Sequence, residues 1–252
     1  MTHFPDEHPF PLICLSETDS TNNYLNDLSN KETLAEFTTV ITDFQTSGKG
    51  QRGNSWESQR GENLLFSTIL YPGFLDIRKQ FLLSQLISLS IKDELESITD
   101  GFSIKWPNDI YWKNKKICGI LIENDLLGDR WAKSIAGIGI NVNQEEFQSN
   151  APNPVSLQQI MRKKFDKMLL LKNIISRAKS YYELLKQNNI ETITTNYHQS
   201  LFRKDGFHPY KDCNGCFMAR IDCVMPEGTL VLEDDKGLKR SYAFKEVKYE
   251  GL

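Results

Sequence analysis

FSIKWPNDIYWKNKKICGILIENDLLGDRWAKSIAGIGINV, residues 102–142, contains four strand-like runs, 102–106, 109–113, 115–124 and 131–142, with only a few residues between successive runs. Strands so close in sequence read as antiparallel neighbours, because a parallel return needs a crossover of about a dozen residues or more. Asn114 with Lys115 suits the turn of one hairpin. Upstream, residues 64–71 (LLFSTILY) form an apolar strand ending at Pro72-Gly73. Residues 79–98 carry Leu83, Ile87, Ile91, Leu95 and Ile98 at near-helical spacing, which predicts an amphipathic helix. Further back lie a β-branched strand at 38–44 (TTVITDF) and a short strand at 12–16 (LICLS). Between them Asp19 or Ser20 can cap a short helix bearing Tyr24, Leu25 and Leu28.

Downstream, Ser156 with Gln159 forms a capping-box pattern before a short helix. Residues 167–187 are the longest helical pattern, with Leu170, Ile174, Ala178, Tyr181 and Leu185 on one stripe, and a further helix covers 191–201. The character of the chain changes near Arg203. Short strand runs then alternate with turn chemistry at Asn214-Gly215, Pro226-Glu227-Gly228 and 234–237, as in a small all-β barrel or sandwich. Antiparallel-looking strands with segregated helices make the fold α+β rather than doubly wound. Two domains are expected, 1–202 and 203–252.

Composition narrows the function classes. The 252 residues are 39% apolar and 25% charged, ordinary for a globular chain. Thirty basic against 33 acidic residues leave a net charge of -3, without the basic excess that nucleic-acid binding would need. The start, MTHFPDEH, lacks a basic segment followed by an apolar core, so no signal peptide is expected. No apolar run approaches the roughly 18 residues of a membrane helix. Five cysteines, an odd number without an export signal, point to a reduced, cytoplasmic protein.

Five segments carry chemistry. Residues 45–56 (QTSGKGQRGNSW) open a loop to Asn63 that is almost free of apolar residues. Gly48, Gly50 and Gly53 let backbone N–H groups converge as an anion nest, with Lys49, Arg52 and Arg60 adding charge; a plain solvated loop is the competing reading. It is neither a Walker A loop nor a dinucleotide-binding turn, since no Gly-Lys-Ser/Thr and no helix follows. In residues 105–109 (KWPND) Pro107 fixes the chain direction and Lys105 sits between Ile104 and Trp106, where partial desolvation would sharpen its response to an anion. The alternative is a surface lysine at a turn, with Trp106 in the core. Residues 116–123 (KICGILIE) place Gly119 inside an apolar strand, a sign of close approach by a ligand or another backbone. Residues 137–143 (GIGINVN) alternate two glycines on one strand face, and Ser20-Thr21-Asn22 stands at a helix start, where simple capping is the plainer reading. Cys213-Asn-Gly-Cys216, near His208 and Cys223, is a weak zinc signal: a second pair is missing and Asn-Gly is ordinary hairpin chemistry, so no metal site is assigned. Histidines at 3, 8, 198 and 208, with no GxSxG elbow, give no support to Ser–His–Asp catalysis.

Taken in order, STN, the glycine-basic loop ending in Trp, KWPND, KxxGIL and GxGxN closely resemble the catalytic core of biotin protein ligases, over about residues 12–145. The β-rich tail looks like that family's small SH3-like C-terminal domain. The resemblance implies a mixed central sheet backed by helices, with biotin on the sheet under the loop. It implies ATP and biotin as substrates, Mg²⁺ on the phosphates, and a biotin carboxyl carrier protein (an acyl-CoA carboxylase subunit) as partner; a homodimer is compatible with it. Carried over, Ser20, Thr21, Asn22, Gln45, Lys49, Gly50, Gln51 and Gly119 would bind biotin. Lys105 would be catalytic, touching the biotin carboxylate and the reacting phosphate. Arg52, Trp56, Asn108, Lys116 and Asn141 would handle ATP, and Asp109 is a candidate for holding Mg²⁺.

The family pattern GRGRxGRxW reads GKGQRGNSW here, so Lys49, Gln51 and Asn54 replace arginines; Arg52 at the variable position can compensate. Only 19 residues precede Ser20, which predicts a ligase without a DNA-binding domain, and the lack of a long apolar run predicts no membrane association. A lipoate ligase or octanoyl transferase of the same fold, or a non-enzymatic module that binds an anion and a partner, are the rival readings.

Overall fold

A computed structural model of the chain describes residues 2–3, 9–50, 55–148 and 153–251. The closely spaced strand runs do pair antiparallel: β5 (Phe102–Lys105) with β6 (Asp109–Trp112), β6 with β7 (Lys115–Leu127), and β7 with β8 (Arg130–Ile140). They join β1 (Thr2–His3), β2 (Leu12–Leu15), β3 (Thr39–Thr42) and β4 (Leu64–Leu70) in one sheet, ordered β1-β2-β3-β4-β8-β7-β6-β5. β2 and β3 are parallel, with helix α1 (Thr21–Lys31) as the crossover, so the sheet is mixed. The β6–β7 turn is Lys113-Asn114, one residue earlier than the Asn114-Lys115 expected. Trp112 pairs with Lys115, and Lys113 takes φ +51° to close the turn.

The two faces of the sheet are covered unequally. On one, α1 buries Leu25 against Ile13, Val40, Ile69 and Ile135. On the other lie α2 (Phe81–Glu96), α4 (Lys167–Lys186) and α5 (Ile190–Gln199). α2 is not the amphipathic helix expected. Twelve of its residues are buried, because the sheet covers one side and α4 and α5 the other. Its buried carboxylate, Glu94, is matched by Arg177 at 2.8 Å and Asn173 at 2.8 Å from α4, as an interior charge requires. The Ser156–Gln159 capping box starts α3 (Leu157–Met161) as expected. No described helix is long and apolar enough to cross a membrane.

The tail forms a second, antiparallel sheet of SH3-like type, ordered β12-β11-β10-β9-β13. Its strands are β9 (His208–Asp212), β10 (Gly215–Val224), β11 (Leu230–Asp234), β12 (Lys239–Tyr242) and β13 (Lys248–Tyr249). Cys213 and Asn214 make the two-residue β9–β10 turn, and Cys213 and Cys216 are exposed. The tail is closely tied to the first sheet. Ile104 N–H donates to Ser200 O (2.8 Å) and Phe202 N–H to Ile104 O (2.9 Å), so residues 200–202 run along β5. Trp106 Nε1 donates to Gly228 O at 2.9 Å. A Cβ on Gly228 would come within 2.8 Å of the Phe81 ring, so a bare backbone turn is needed there.

Candidate active site

The sheet face that α1 leaves partly open carries the polar groups. α1 begins at Ser20, extended at φ -155°, but the Ser20 hydroxyl makes no capping bond. Gln45, from the start of the loop, takes that role: its Oε1 accepts from Thr21 N at 2.8 Å and from Thr21 Oγ1 at 3.1 Å. One side-chain carbonyl thus satisfies an orphan donor of the helix end. Ser67 of β4 lies beneath, its hydroxyl 2.7 Å from Thr21 Oγ1 and 2.5 Å from Asn22 Oδ1. Asn22 Nδ2 donates to Glu123 Oε2 at 2.6 Å and to Leu121 O at 3.4 Å. This network fits only because position 137 is glycine: a Cβ there would stand 2.2 Å from Asn22 Oδ1.

Next to it the floor is bare backbone. Gly119 of β7 pairs with Gly139 of β8, and Leu121 with Gly137. The Trp56 ring lies directly on these glycines. A Cβ on Gly119 would reach Trp56 Cζ3 at 2.8 Å, and one on Gly139 would reach Cε2 and Nε1 at 2.5 Å. Trp56 is held from the loop side by its N–H to Gly48 O at 2.9 Å and by the Lys49–Ser55 bridge. Its Nε1 is buried and has no hydrogen-bond partner among the described residues. Glycines 119 and 139 therefore make a slot as deep as an aromatic ring is thick, and the Trp56 ring fills it.

Beyond the slot come the cations. The β6–β7 register shifts, so that Ile110 pairs with Cys118 but Tyr111 with Lys116. Such a shift re-aims a side chain: Cys118 stays in the core, whereas Lys116 Nζ reaches 5.8 Å above the Trp56 ring. Lys116 is ion-paired with Asp109 at 2.7 Å. Lys105 is half-buried, with Nζ 3.3 Å from Tyr111 Oη and 5.0 and 5.1 Å from the ring centres of Tyr111 and Tyr249. Burial pushes its pKa below the ordinary lysine value; the Asp109 carboxylate opposes this, and Lys116 and Arg203 reinforce it. The intervening turn, which contains a cis Trp106–Pro107 bond, is fixed by Tyr197 Oη to Pro107 O at 2.6 Å and Asn108 Nδ2 to Ile120 O at 3.3 Å.

Residues 15–141 match the profile of the Biotin/lipoate A/B protein ligase family. The chain is also 30% identical, over 236 residues, to the bifunctional ligase/repressor BirA of Bacillus spizizenii, an alignment covering 92% of this chain and 72% of that protein. The chain belongs to the biotin/lipoate protein ligase family. It is 30% identical over 178 residues to the bifunctional ligase/repressor BirA of Escherichia coli, covering 68% of this chain and 53% of that one. Among solved structures, the biotin protein ligase from Aquifex aeolicus in complex with biotin and ATP superposes with a TM-score of 0.77 at 28% identity, over 94% of this chain and 98% of that one.

Of the residues the family resemblance singled out, Ser20, Thr21, Asn22 and Gln45 meet at the α1 end of the slot. Trp56, Gly119, Lys116 and Lys105 gather at the other end. Lys49 is exposed and donates to Asn23 Oδ1 at 2.5 Å, while Gly50 closes the described part of the loop. Gln51 and Arg52, with Gly53 and Asn54, lie outside the described residues. Two amides serve the scaffold: Asn108 as above, and Asn141, buried, whose Nδ2 donates to Val155 O at 3.2 Å. The local pattern missed Ser67 and Glu123, whose contacts to Thr21 and Asn22 span 46 and 101 positions. A lone hydroxyl in the apolar run LLFSTIL was the available signal for Ser67. It also missed the brace that returns the loop to β8. There Asn63 Nδ2 donates to Gln144 Oε1 at 2.6 Å and Val142 N–H donates to Asn63 Oδ1 at 3.0 Å.

Proposed function

We propose that the chain is an ATP-dependent biotin protein ligase, forming biotinyl-5'-AMP and transferring biotin to a lysine of a biotin carboxyl carrier protein. The observation that carries this is the slot itself: a glycine floor on which Trp56 lies, between an end of hydrogen-bonded hydroxyls and amides and a cationic end. A compact heterobicycle with a polar urea edge, an apolar thioether ring and an acyl tail fits that order of surfaces. Its urea-like head meets Thr21, Asn22, Gln45 and Ser67, its apolar body takes the place of the Trp56 ring on Gly119 and Gly139, and its carboxylate approaches Lys105. Lys49, Gly50 and Gln51 wrap the tail, and Ser20 lines the pocket behind Thr21. Arg52, Trp56, Asn108, Lys116 and Asn141 make up the ATP side, with Asn108 and Asn141 acting through the backbone they brace.

The chemistry asks little of a general base. The biotin carboxylate attacks the α-phosphorus of ATP, a P–O bond forms, and pyrophosphate leaves with the electron pair. The obstacle is the approach of anion to anion, and fixed cations aimed at the developing charge lower it. In the second step the carrier lysine, as a free amine, attacks the acyl carbon. AMP departs and the amine loses a proton to give the amide. Mg²⁺ belongs with ATP in this reading. Among the described residues no cluster of three metal-ligating side chains converges, and Asp109 is engaged by Lys116.

We further read residues 1–202 as the catalytic domain and 203–252 as the SH3-like domain, in a cytoplasmic enzyme able to pair as a homodimer, without DNA or membrane binding. The test is biotin-dependent exchange of pyrophosphate into ATP, followed by biotin transfer to a carrier domain. Exchange driven by biotin is expected. Exchange driven by lipoate or octanoate but not biotin would move the chain to the other branch of the family, and exchange with none of these acids would leave only an anion-binding module.

A further inference from the structure

Lys105 is enclosed by aromatic rings that come from two distant parts of the chain. Tyr111 belongs to β6, beside Lys105 in the same sheet, whereas Tyr249 belongs to β13, the last strand of the tail. Their ring centres stand 5.0 and 5.1 Å from Nζ, within the range of a cation–π contact. Phe202 bridges them, 5.6 Å from the Tyr111 ring and 6.0 Å from that of Tyr249, and Tyr210 packs 5.0 Å from Tyr249. The strand is also held at its end. Arg203 donates to Glu250 O at 2.9 Å and to Pro209 O at 3.2 Å, and Glu250 N–H donates to Pro209 O at 3.1 Å. Residues 200–202, just before Arg203, run along β5 beside Ile104. The neighbour of the reactive lysine and the strand that covers it are therefore tied to one short connection.

This enclosure differs from ordinary fixation by a carboxylate. Asp109, the available acid, is paired with Lys116. The polar contact made by Lys105 is the long 3.3 Å approach to Tyr111 Oη. An ammonium has three protons to give, so rings can hold it in place while leaving donors for an incoming carboxylate or phosphate. The Tyr249 hydroxyl is buried with no hydrogen-bond partner among the described residues, so its contribution at this spot is the ring.

We propose that Tyr249 is a positioning residue for adenylation: the last strand of the SH3-like unit sets the place of the Lys105 ammonium through the face of an aromatic ring. The tail is then part of the adenylating apparatus. This rests on the reading of the chain as a biotin ligase.

The experiment is a double-mutant cycle on the full-length chain, followed by biotin-dependent pyrophosphate exchange, with thermal unfolding measured for every variant. Tyr249→Leu and Tyr249→Met, the second keeping more of the volume, are each expected to lower kcat by about ten-fold with little change in the KM for biotin. Tyr249→Phe, which keeps the ring, is expected to rescue activity to within about two-fold of the parent. In a Lys105→Met background Tyr249→Leu is expected to have no further effect, because the ring acts through the lysine. The proposal is overturned if Tyr249→Leu or Tyr249→Met, with a native unfolding transition, keeps parental kcat. It is equally overturned if Phe is as damaging as Leu, or if the loss persists unchanged without Lys105. Absence of biotin-dependent exchange in the parent chain would instead count against the ligase reading itself.

Discussion

The two ends of the slot are built by opposite means. At the α1 end, Thr21, Asn22, Gln45 and Ser67 are locked by hydrogen bonds to one another, and the groups are neutral apart from the rim carboxylate of Glu123. At the far end Lys105 and Lys116 stand close enough to act on each other electrostatically, and the hydrogen bond of the Lys105 ammonium to Tyr111 is long. The first end is rigid and directional, suited to telling one ring system from another. The second is charged and partly desolvated, suited to an anion whose charge is being redistributed. In the proposed reading recognition and reaction fall to separate residues, and the glycine floor joins them.

That separation can be broken at either end. The largest effect belongs to Lys105→Ala, expected to lower kcat for pyrophosphate exchange by about 10²–10³-fold with the fold retained. Near-parental kcat, with a normal unfolding transition, would remove Lys105 from the reaction. The same residue sets a pH dependence. Because burial lowers its pKa, the ammonium is lost as pH rises through a value below 10.5, and activity should fall there. A pH–rate profile still flat at 10.5 would contradict this. Next comes Gly137→Ala. Its Cβ would meet Asn22 Oδ1 at 2.2 Å, so Asn22 must leave its network. The KM for biotin should rise about 100-fold, and calorimetry should register a loss of about 1–3 kcal/mol in stability. Unchanged biotin binding would mean that Asn22 faces no ligand.

Ser67→Ala sharpens the comparison further. It removes the hydroxyl beneath Thr21 and Asn22 without adding bulk, and the KM for biotin should rise about ten-fold while kcat stays within about two-fold. A fall in kcat instead would show that the two ends are not independent. The smallest effect is expected from Lys116→Met. It leaves Asp109 without its ion pair and should raise the KM for ATP about five-fold, with the KM for biotin nearly constant. A larger effect on biotin than on ATP would reverse the assignment of that lysine.

Much of the frame was legible from local spacing. The short gaps between residues 102 and 142 forced antiparallel pairing, and the motif order pointed to Thr21, Gln45, Lys105 and Gly119. What escaped depended on how distant segments meet. Nothing around Gln45 says that its amide will cap a helix 24 positions away. The apolar stripe of α2 suggested one buried face, yet α4 and α5 cover the other side too. The shift between Ile110 and Tyr111 is a property of the pairing rather than of either strand alone, and without it strict alternation would put Lys116 on the core face with Cys118. Likewise the contact of Lys105 with Tyr249 joins the middle of the chain to its last strand.

The glycine floor has one more consequence. Where a pocket is lined by side chains, reshaping it changes volume, polarity and flexibility together. Here, at Gly119 and Gly139, the boundary is backbone, and the smallest step available is one methyl group. Alanine at either position would meet Trp56 first, at 2.8 Å or 2.5 Å, and at Gly119 the new methyl would also touch Lys116 Cε, 3.5 Å away. If the acyl donor lies here as proposed, the slot is retuned in methyl-sized increments, turning away one donor and admitting a slimmer analogue.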